Sequence, residues 1–286
     1  MPILNDHSQL EDWVEPDKVE RPVVAYGFVT EKFGDIELDV HSHAKGQIIL
    51  VQRGVLSCKV EGGLWIVPPR SAIWIPGGAL HAVKASGTLE GYNAFIDPGV
   101  SADLPRTCCA VSVTPLLREL LLRAAQLPLL YEEGGANTRL LSVLLDELAT
   151  ARIEDLHLPM PADPRLRRIV DMMMAAPADR STLDIWAKRA GMSERTLARM
   201  LTRETGMSFG RWRQQLSVML AVKWLASGAS IQQVTIDLGY ESVPSFVTMF
   251  RKTLGTSPGR YMAERYGGNR ESSTPTRMSS RPSPGS

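Results

Sequence analysis

Four side chains in the first third of the chain could hold a small ligand. The segment His41-Ser42-His43-Ala44-Lys45-Gly46-Gln47 places two histidines two apart and a glutamine four further on, and His81 follows Pro76-Gly77-Gly78. Residues two apart on a strand share a face, so His41 and His43 converge like a pincer that a histidine from a distant strand could complete. Imidazole suits zinc, iron, copper and nickel, and a carboxamide oxygen can join the set, so a divalent transition metal is one expected occupant of His41, His43, Gln47 and His81. A polar effector pocket that uses the same histidines without metal, and purely structural histidines, are the other two readings. A second chemistry lies near the other end. Arg195 and Arg199 are four apart, with Glu194 and Ala198 beside them and Arg203 a turn beyond. Arginines on one helix face can grip guanine O6 and N7 in the major groove, worth about 1–3 kcal/mol of discrimination each. The same pattern also fits a solvated helix face.

The elements that carry those arginines occur twice. Leu183, Trp186, Ala187, Ala190, Gly191, Leu197 and Leu201 recur as Ile231, Val234, Thr235, Leu238, Gly239, Phe246 and Phe250, offset by 48 residues up to the glycine and 49 after it. Each copy reads as an apolar helix face, a glycine turn and a second helix with large apolar residues four apart. That is the pattern of a helix-turn-helix, whose second helix enters the DNA major groove. Ser181 with Asp184, and Ser230 with Gln233, have capping-box spacing at the start of each copy. Ser193 is expected to cap a recognition helix over 194–203.

The second recognition helix is expected from Ser242 to Thr253, with Val243, Pro244, Val247 and Thr248 outward and Arg251 and Lys252 at its distal end. Those outward positions offer almost no donors, so this helix can meet thymine methyls or DNA shape but cannot form arginine–guanine forks. The first helix is therefore expected to specify and the second to anchor on phosphate. Between them, 209–225 reads as one helix with Trp212, Leu216, Met219, Leu220 and Trp224 inward. Its length suits recognition helices about one DNA turn (~34 Å) apart.

Charge follows the same division. Residues 1–164 carry 13 Lys/Arg against 22 Asp/Glu, whereas 165–265 carry 16 against 8, so a net charge of +1 conceals a basic half that coincides with the repeat. A basic segment is the electrostatic footprint of a polyanion partner. No apolar run approaches the 18 residues of a membrane span. The acidic, unhydrophobic N-terminus is not a secretory signal, and three cysteines do not make a disulfide framework. A cytoplasmic protein with free thiols and no membrane partner is expected.

Organisation along the chain reads as a flexible arm over 1–22 and strands over 23–97. Among the strands are the continuous run Ile48 to Val51, the alternation of Leu56, Cys58 and Val60, and Trp65 and Trp74, which could line a pocket. Short strands at regular spacing suggest a sandwich or small barrel. Residues 98–157 are expected to be helical. Two leucine stripes there, Leu116 to Ala124 and Leu140 to Leu148, serve either packing against the barrel or a dimer seam, and a homodimer is expected. Three prolines in 158–164 read as a linker, 165–266 as the double helix-turn-helix, and 267–286 as a disordered tail.

The residues Leu197, Arg199, Met200, Gly206, Phe209, Ile231, Leu238-Gly239-Tyr240, Ser245-Phe246, Phe250-Arg251-Lys252, Gly255 and Ser257-Pro258 with Tyr261 resemble the AraC/XylS family of transcription regulators over about 100 residues. The histidine spacing resembles the two cupin motifs, whose histidines and a carboxylate bind a divalent metal inside a small β-barrel; here Gln47 stands in the acidic place and Ala85 where asparagine is common. Together the resemblances imply a multidomain α and β protein: a cupin-like sensor barrel, helices, then an all-α DNA-binding domain. They imply a non-enzymatic, sequence-specific regulator that binds double-stranded promoter DNA and senses a small molecule or metal. Many members are activators that recruit RNA polymerase. The alternative is a metal-dependent cupin enzyme, a dioxygenase or isomerase, with a regulatory appendage.

Overall fold

The computed structural model describes residues 15–29, 36–60 and 62–266. The first fourteen residues of the expected arm and the expected tail over 267–286 lie outside them. Among these residues nine strands come before or between the first helices: β1 (Val23–Val29), β2 (Ile36–His41), β3 (Gly46–Val60), β4 (Gly63–Val67), β5 (Ser71–Ile75), β6 (His81–Ile96), β7 (Cys109–Ser112), β8 (Ile153–Glu154) and β9 (His157–Pro159). All pairings are antiparallel.

Two long strands organise this sheet. β3 and β6 pair along almost their whole lengths, with register shifts between Val51 and Val55. On one side of that bulge β3 pairs with β5 and β6 with β1; on the other β3 pairs with β4 and β6 with β2. A bulge bends a strand, which lets one pair of strands serve two half-sheets. The hydrogen-bonded order runs β1-β6-β3-β5-β7-β8, and among the described residues the ladder does not close on itself. The cupin-like barrel that the resemblance implies is thus, among the described residues, an antiparallel sheet whose ladder stays open.

The alternation expected of β3 holds. Ile48 to Val51 are at most 3% exposed, and Leu56, Cys58 and Val60 turn inward while Lys59 faces out. Helices α1 (Pro115–Ala124) and α2 (Ala136–Ala149) cover one face. Leu117, Leu121, Ala124, Leu141, Leu144 and Leu148 join the core of Ile48, Leu50 and Ile96, so most of the leucine stripe packs on the sheet. Leu116 and Val143 stay exposed.

Seven helices follow: α3 (Pro164–Ala175), α4 (Leu183–Arg189), α5 (Glu194–Thr205), α6 (Phe209–Ala226), α7 (Ile231–Asp237), α8 (Val243–Leu254) and α9 (Pro258–Tyr266). The duplication survives in three dimensions, since α4 and α7 start 48 residues apart and α5 and α8 start and end 49 apart. α6 is buried nearly all round, including Gln215, Ser217, Val218, Ala221 and Val222 besides Trp212, Leu216 and Met219. A helix apolar on all sides is a central one. Leu220 and Trp224 are only half-buried there.

Two local expectations are corrected. Thr182, not Ser181, precedes α4, and it makes no side-chain cap; the Ser181 backbone N–H instead donates to Asp179 Oδ1. The expected linker over 158–164 is built into the fold. Its start belongs to β9, which pairs with β4; Leu158 is fully buried, and Pro164 opens α3. Prolines are tolerated at a strand's outer edge and a helix's first turn, so their density marked two element boundaries rather than a tether.

Candidate functional site

The two helix-turn-helix units are built from serine caps, glycine turns and buried apolar residues. Ser193 Oγ accepts from the Thr196 backbone N–H and starts α5; Ser242 Oγ accepts from that of Ser245 and starts α8. Gly191 and Gly239, at φ 67° and 68°, make the turns between the paired helices. Leu197, Met200 and Leu201 of α5, and Phe246, Met249 and Phe250 of α8, point into the core. That leaves Glu194, Arg195, Arg199 and Arg203 exposed on α5 and Ala198 half-exposed. On α8, Val243, Pro244, Thr248, Arg251 and Lys252 are exposed, Val247 is half-exposed and the cap Ser242 is exposed. The Thr248 hydroxyl donates to the Pro244 carbonyl at 2.8 Å, so even this polar group has its proton committed within its own helix.

The relation between the two readers is set by more than α6. The turn at Gly239 packs directly on the loop that precedes the first helix-turn-helix, where a Cβ would overlap the Ala178 carbonyl. Arg180 lies over the Tyr240 ring at 4.3 Å, and Arg213 donates to the Ser181 carbonyl at 2.7 Å. Nothing periodic in the sequence marks Ala178, Arg180 or Arg213.

The second site gathers all four residues expected of it. His41 ends β2, His81 begins β6, and the two pair across the ladder. Ring centroids of His41 and His81 are 4.2 Å apart, those of His43 and His81 5.0 Å, and one ligand nitrogen from each of the three lies within 4.8 Å of the others. Each imidazole donates its Nδ1–H to a backbone carbonyl: His41 to Asp39 at 2.7 Å, His81 to Ala79 at 2.9 Å, and His43 to Lys45. A carbonyl can only accept, so each Nδ1 carries a proton, and it is Nε2 that the neutral imidazole would present to a ligand. His81 is 1% exposed, and its Nε2 has no hydrogen-bond partner among the described residues. Burial pulls its pKa down to about 4, the Ala79 carbonyl opposes that, and the neighbouring His41 and His43 add to it. At neutral pH it is an unprotonated nitrogen ligand.

Gln47 completes the cluster. Its Oε1 lies 3.1 Å from His43 Nε2, and its Nε2 donates to Asn93 Oδ1 at 3.1 Å. An imidazolium His43 would donate its Nε2–H to the Gln47 oxygen, whereas a neutral one with its proton on Nδ1 would leave two lone pairs that a shared cation satisfies. Sequence reading missed three supporting residues. Asn93 aims the Gln47 amide from 46 positions away. The Lys45 ammonium donates to the carbonyls of Pro16, Val19 and Arg21, while Asp17 accepts from the backbone of Ala44 and Lys45. This clasp holds the loop that carries His43. The tryptophans are elsewhere: Trp65 stacks on His157 at 4.3 Å, and Trp74 donates to the Pro105 carbonyl at 2.7 Å.

Two helix-turn-helix units, each with a capped and outwardly exposed second helix on a basic bundle that follows an antiparallel sheet, define a DNA-binding regulator of the helix-turn-helix type. A helix-turn-helix domain model matches residues 186–264. The chain is 41% identical over 249 residues to the HTH-type transcriptional regulator NimR of Escherichia coli, covering 87% of this chain and 90% of that one. It is 32% identical over 109 residues to the HTH-type transcriptional regulator RipA of Corynebacterium glutamicum, 38% of this chain and 33% of that one. The DNA-binding domain of AdpA, solved with a target DNA, covers 38% of this chain and 99% of its own at 27% identity, with a TM-score of 0.35. The chain belongs to the AraC family of transcriptional regulators. No helix of the described residues is long and apolar enough to cross a membrane.

Proposed function

We propose that this protein regulates transcription by reading promoter DNA chiefly through α5, anchoring through α8, and sensing an effector at the histidine cluster. The observation that carries the reading is the pair of capped, equivalently spaced helices whose outward faces differ in chemistry: arginines on α5, apolar groups on α8. In this division Glu194, Arg195, Ala198, Arg199 and Arg203 face base edges and nearby phosphates. Ser242, Val243, Pro244, Val247 and Thr248 read shape or thymine methyls, and Arg251 and Lys252 neutralise phosphate. A homodimer, contact with RNA polymerase and the absence of enzymatic turnover belong to the same proposal.

The division has a direct test by binding titration on a selected operator and its single-base variants. Arg199→Ala is expected to cost about 1–3 kcal/mol and to relax preference at one base position. Arg251→Ala should weaken all sequences alike and reduce the salt slope by about one. Equal loss on every sequence from Arg199→Ala would remove that residue from the specifying set.

For the sensor, a divalent transition metal fits the residues present. What supports it is three clustered imidazoles whose Nδ1 protons are held by backbone carbonyls, the orphaned His81 Nε2 and the Gln47 Oε1 beside His43 Nε2. His41, His43 and His81 would hold the ion through Nε2 and Gln47 through Oε1. The ion would supply a Lewis acid to which a small effector can bind. The backbone carbonyls of Asp39, Lys45 and Ala79 act as the outer partners that orient such ligands. Elemental analysis of the purified chain should show His43→Ala losing metal by more than the ~10–100-fold typical of an outer-partner change. Gln47→Glu should retain it more tightly, since an anion offsets the ion's charge. Metal content indifferent to both changes would return the cluster to a metal-free pocket.

A further inference from the structure

The DNA-binding module does not hang from the sheet; it is seated on it. Val55 and Ile66 of the sheet and Leu158 and Met160 of the β9 segment share one hydrophobic core with Trp212, Leu216 and the helix-turn-helix residues. Leu254, the last residue of α8, also packs against the sheet's own core. Polar contacts pin the seam. Trp212 Nε1 donates to the Pro159 carbonyl at 2.8 Å, and Gln215 Nε2 to the carbonyls of Asp155 and His157 at 2.8 and 3.1 Å.

At the far end, α9 meets the sheet through charge. Arg265 donates to Glu154 Oε1 at 2.8 Å, to Ser71 Oγ and to the Pro69 carbonyl at 3.3 Å, while Ser71 Oγ donates to Glu154 Oε2 at 2.7 Å. Both charged side chains are about five-sixths covered, at 15% and 16% exposure. Beside them Arg70 donates to the Glu264 carbonyl at 3.0 Å. Arg70 is the one non-glycine residue at positive φ, 60°, among those described. Strain of this kind persists only where the surroundings over-determine it.

The seam leaves the readers open. With α9 seated, the outward positions of α5 and α8 named above are exposed or half-exposed, and none is covered by the sheet. The seat is also close to the histidine cluster. β3 and β5 pair Gln47 with Ile75 at the cluster end and Val51 with Ser71 at the α9 end. The two ends are four residues apart, roughly 13 Å of rigid ladder.

We propose that Arg265, Glu154 and Ser71 form a latch that sets the pose of the double helix-turn-helix on the sensor sheet, so that the sensor acts on DNA binding through pose and not by covering the readers. The claim about DNA rests on the reader faces assigned above; the claim about the latch does not. Arg265 and Ser71 are positioning residues here, since neither lies on a reader face.

The test uses the full chain. In hydrogen–deuterium exchange without DNA, Arg265→Ala should accelerate exchange across 258–266 by about tenfold or more while 194–205 exchanges as in the wild type. Ser71→Ala, which removes only a hydroxyl, should give the same pattern to a lesser degree and serves if the arginine variant fails to fold. Arg265→Lys should restore part of the protection. Unchanged exchange over α9 in a folded variant overturns the latch. In a second arm, affinity for a random duplex at moderate salt should stay within about twofold of wild type, because the readers are already open. A gain of about tenfold would show that the sheet had been masking them, and overturns action by pose. A wild-type chain that binds no duplex overturns the reader assignment alone, since the exchange arm contains no DNA.

Discussion

Replacing Gly239 with alanine is expected to destabilise the DNA-binding module by about 2–5 kcal/mol, beyond the usual cost of a lost turn glycine. Two effects combine. At φ 68° any residue with a Cβ is strained, by roughly 1–2 kcal/mol. That Cβ would also overlap the carbonyl, carbonyl carbon and Cα of Ala178, all backbone atoms that cannot swing aside. Forcing such atoms apart typically costs a further ~1–3 kcal/mol.

Gly255 and Gly191 are the controls. Their φ angles of 77° and 67° are equally left-handed, but a Cβ on either meets open space. Alanine there should cost only the first effect. Urea unfolding of the three variants separates the terms, and on the proposed reader assignment Gly239→Ala should also lose operator affinity, because its turn packs on the Ala178 backbone ahead of the first helix-turn-helix. If Gly239→Ala and Gly255→Ala unfold at the same urea concentration, the close approach constrains nothing.

Trp212→Ala should cost about 3–5 kcal/mol, the range for emptying a large buried aromatic site. Trp212 is fully buried in α6, inside the core that joins the sheet to the recognition helices, and its indole N–H donates to Pro159 across the seam. Trp212→Phe keeps most of the packing and deletes the donor. It should cost about 1–3 kcal/mol, since the partly buried Pro159 carbonyl then loses this donor. The expected result is a graded series, with β9 exchanging faster in both variants and α5 disturbed only in the alanine one. A loss under about 1 kcal/mol for Trp212→Ala would mean that α6 is not the hub the burial pattern indicates.

The doubled helix pair and the convergence of the histidines were legible in the sequence, for a physical reason. Helix phase, serine caps and glycine turns act over three or four residues, so the 48- and 49-residue offsets passed directly into α4, α5, α7 and α8. Histidine spacing likewise announced a cluster, because side chains two apart on an extended chain share a face. Where local signals were ambiguous the reading strayed. Proline density around 159–164 fits a tether as well as an edge strand followed by a helix start, and only the pairing of β9 with β4 tells them apart. Ser181 has the spacing of a cap but gives its N–H to Asp179. Trp74 could have lined a pocket but points to Pro105.

From residue order alone came the doubled helix pair, the unlike chemistry of its two outward faces, the basic half and the histidine pincer; each depends on neighbours a few positions away along the backbone. Folding in three dimensions settled the rest: the open sheet, the Asn93 hold on Gln47, the Gly239–Ala178 contact and the seat of α9 on Ser71 and Glu154. Those partners are separated by 46 to 194 positions. A hydrogen bond across such a distance leaves no period in the chain, because it forms only after other elements have packed and brought its two ends together.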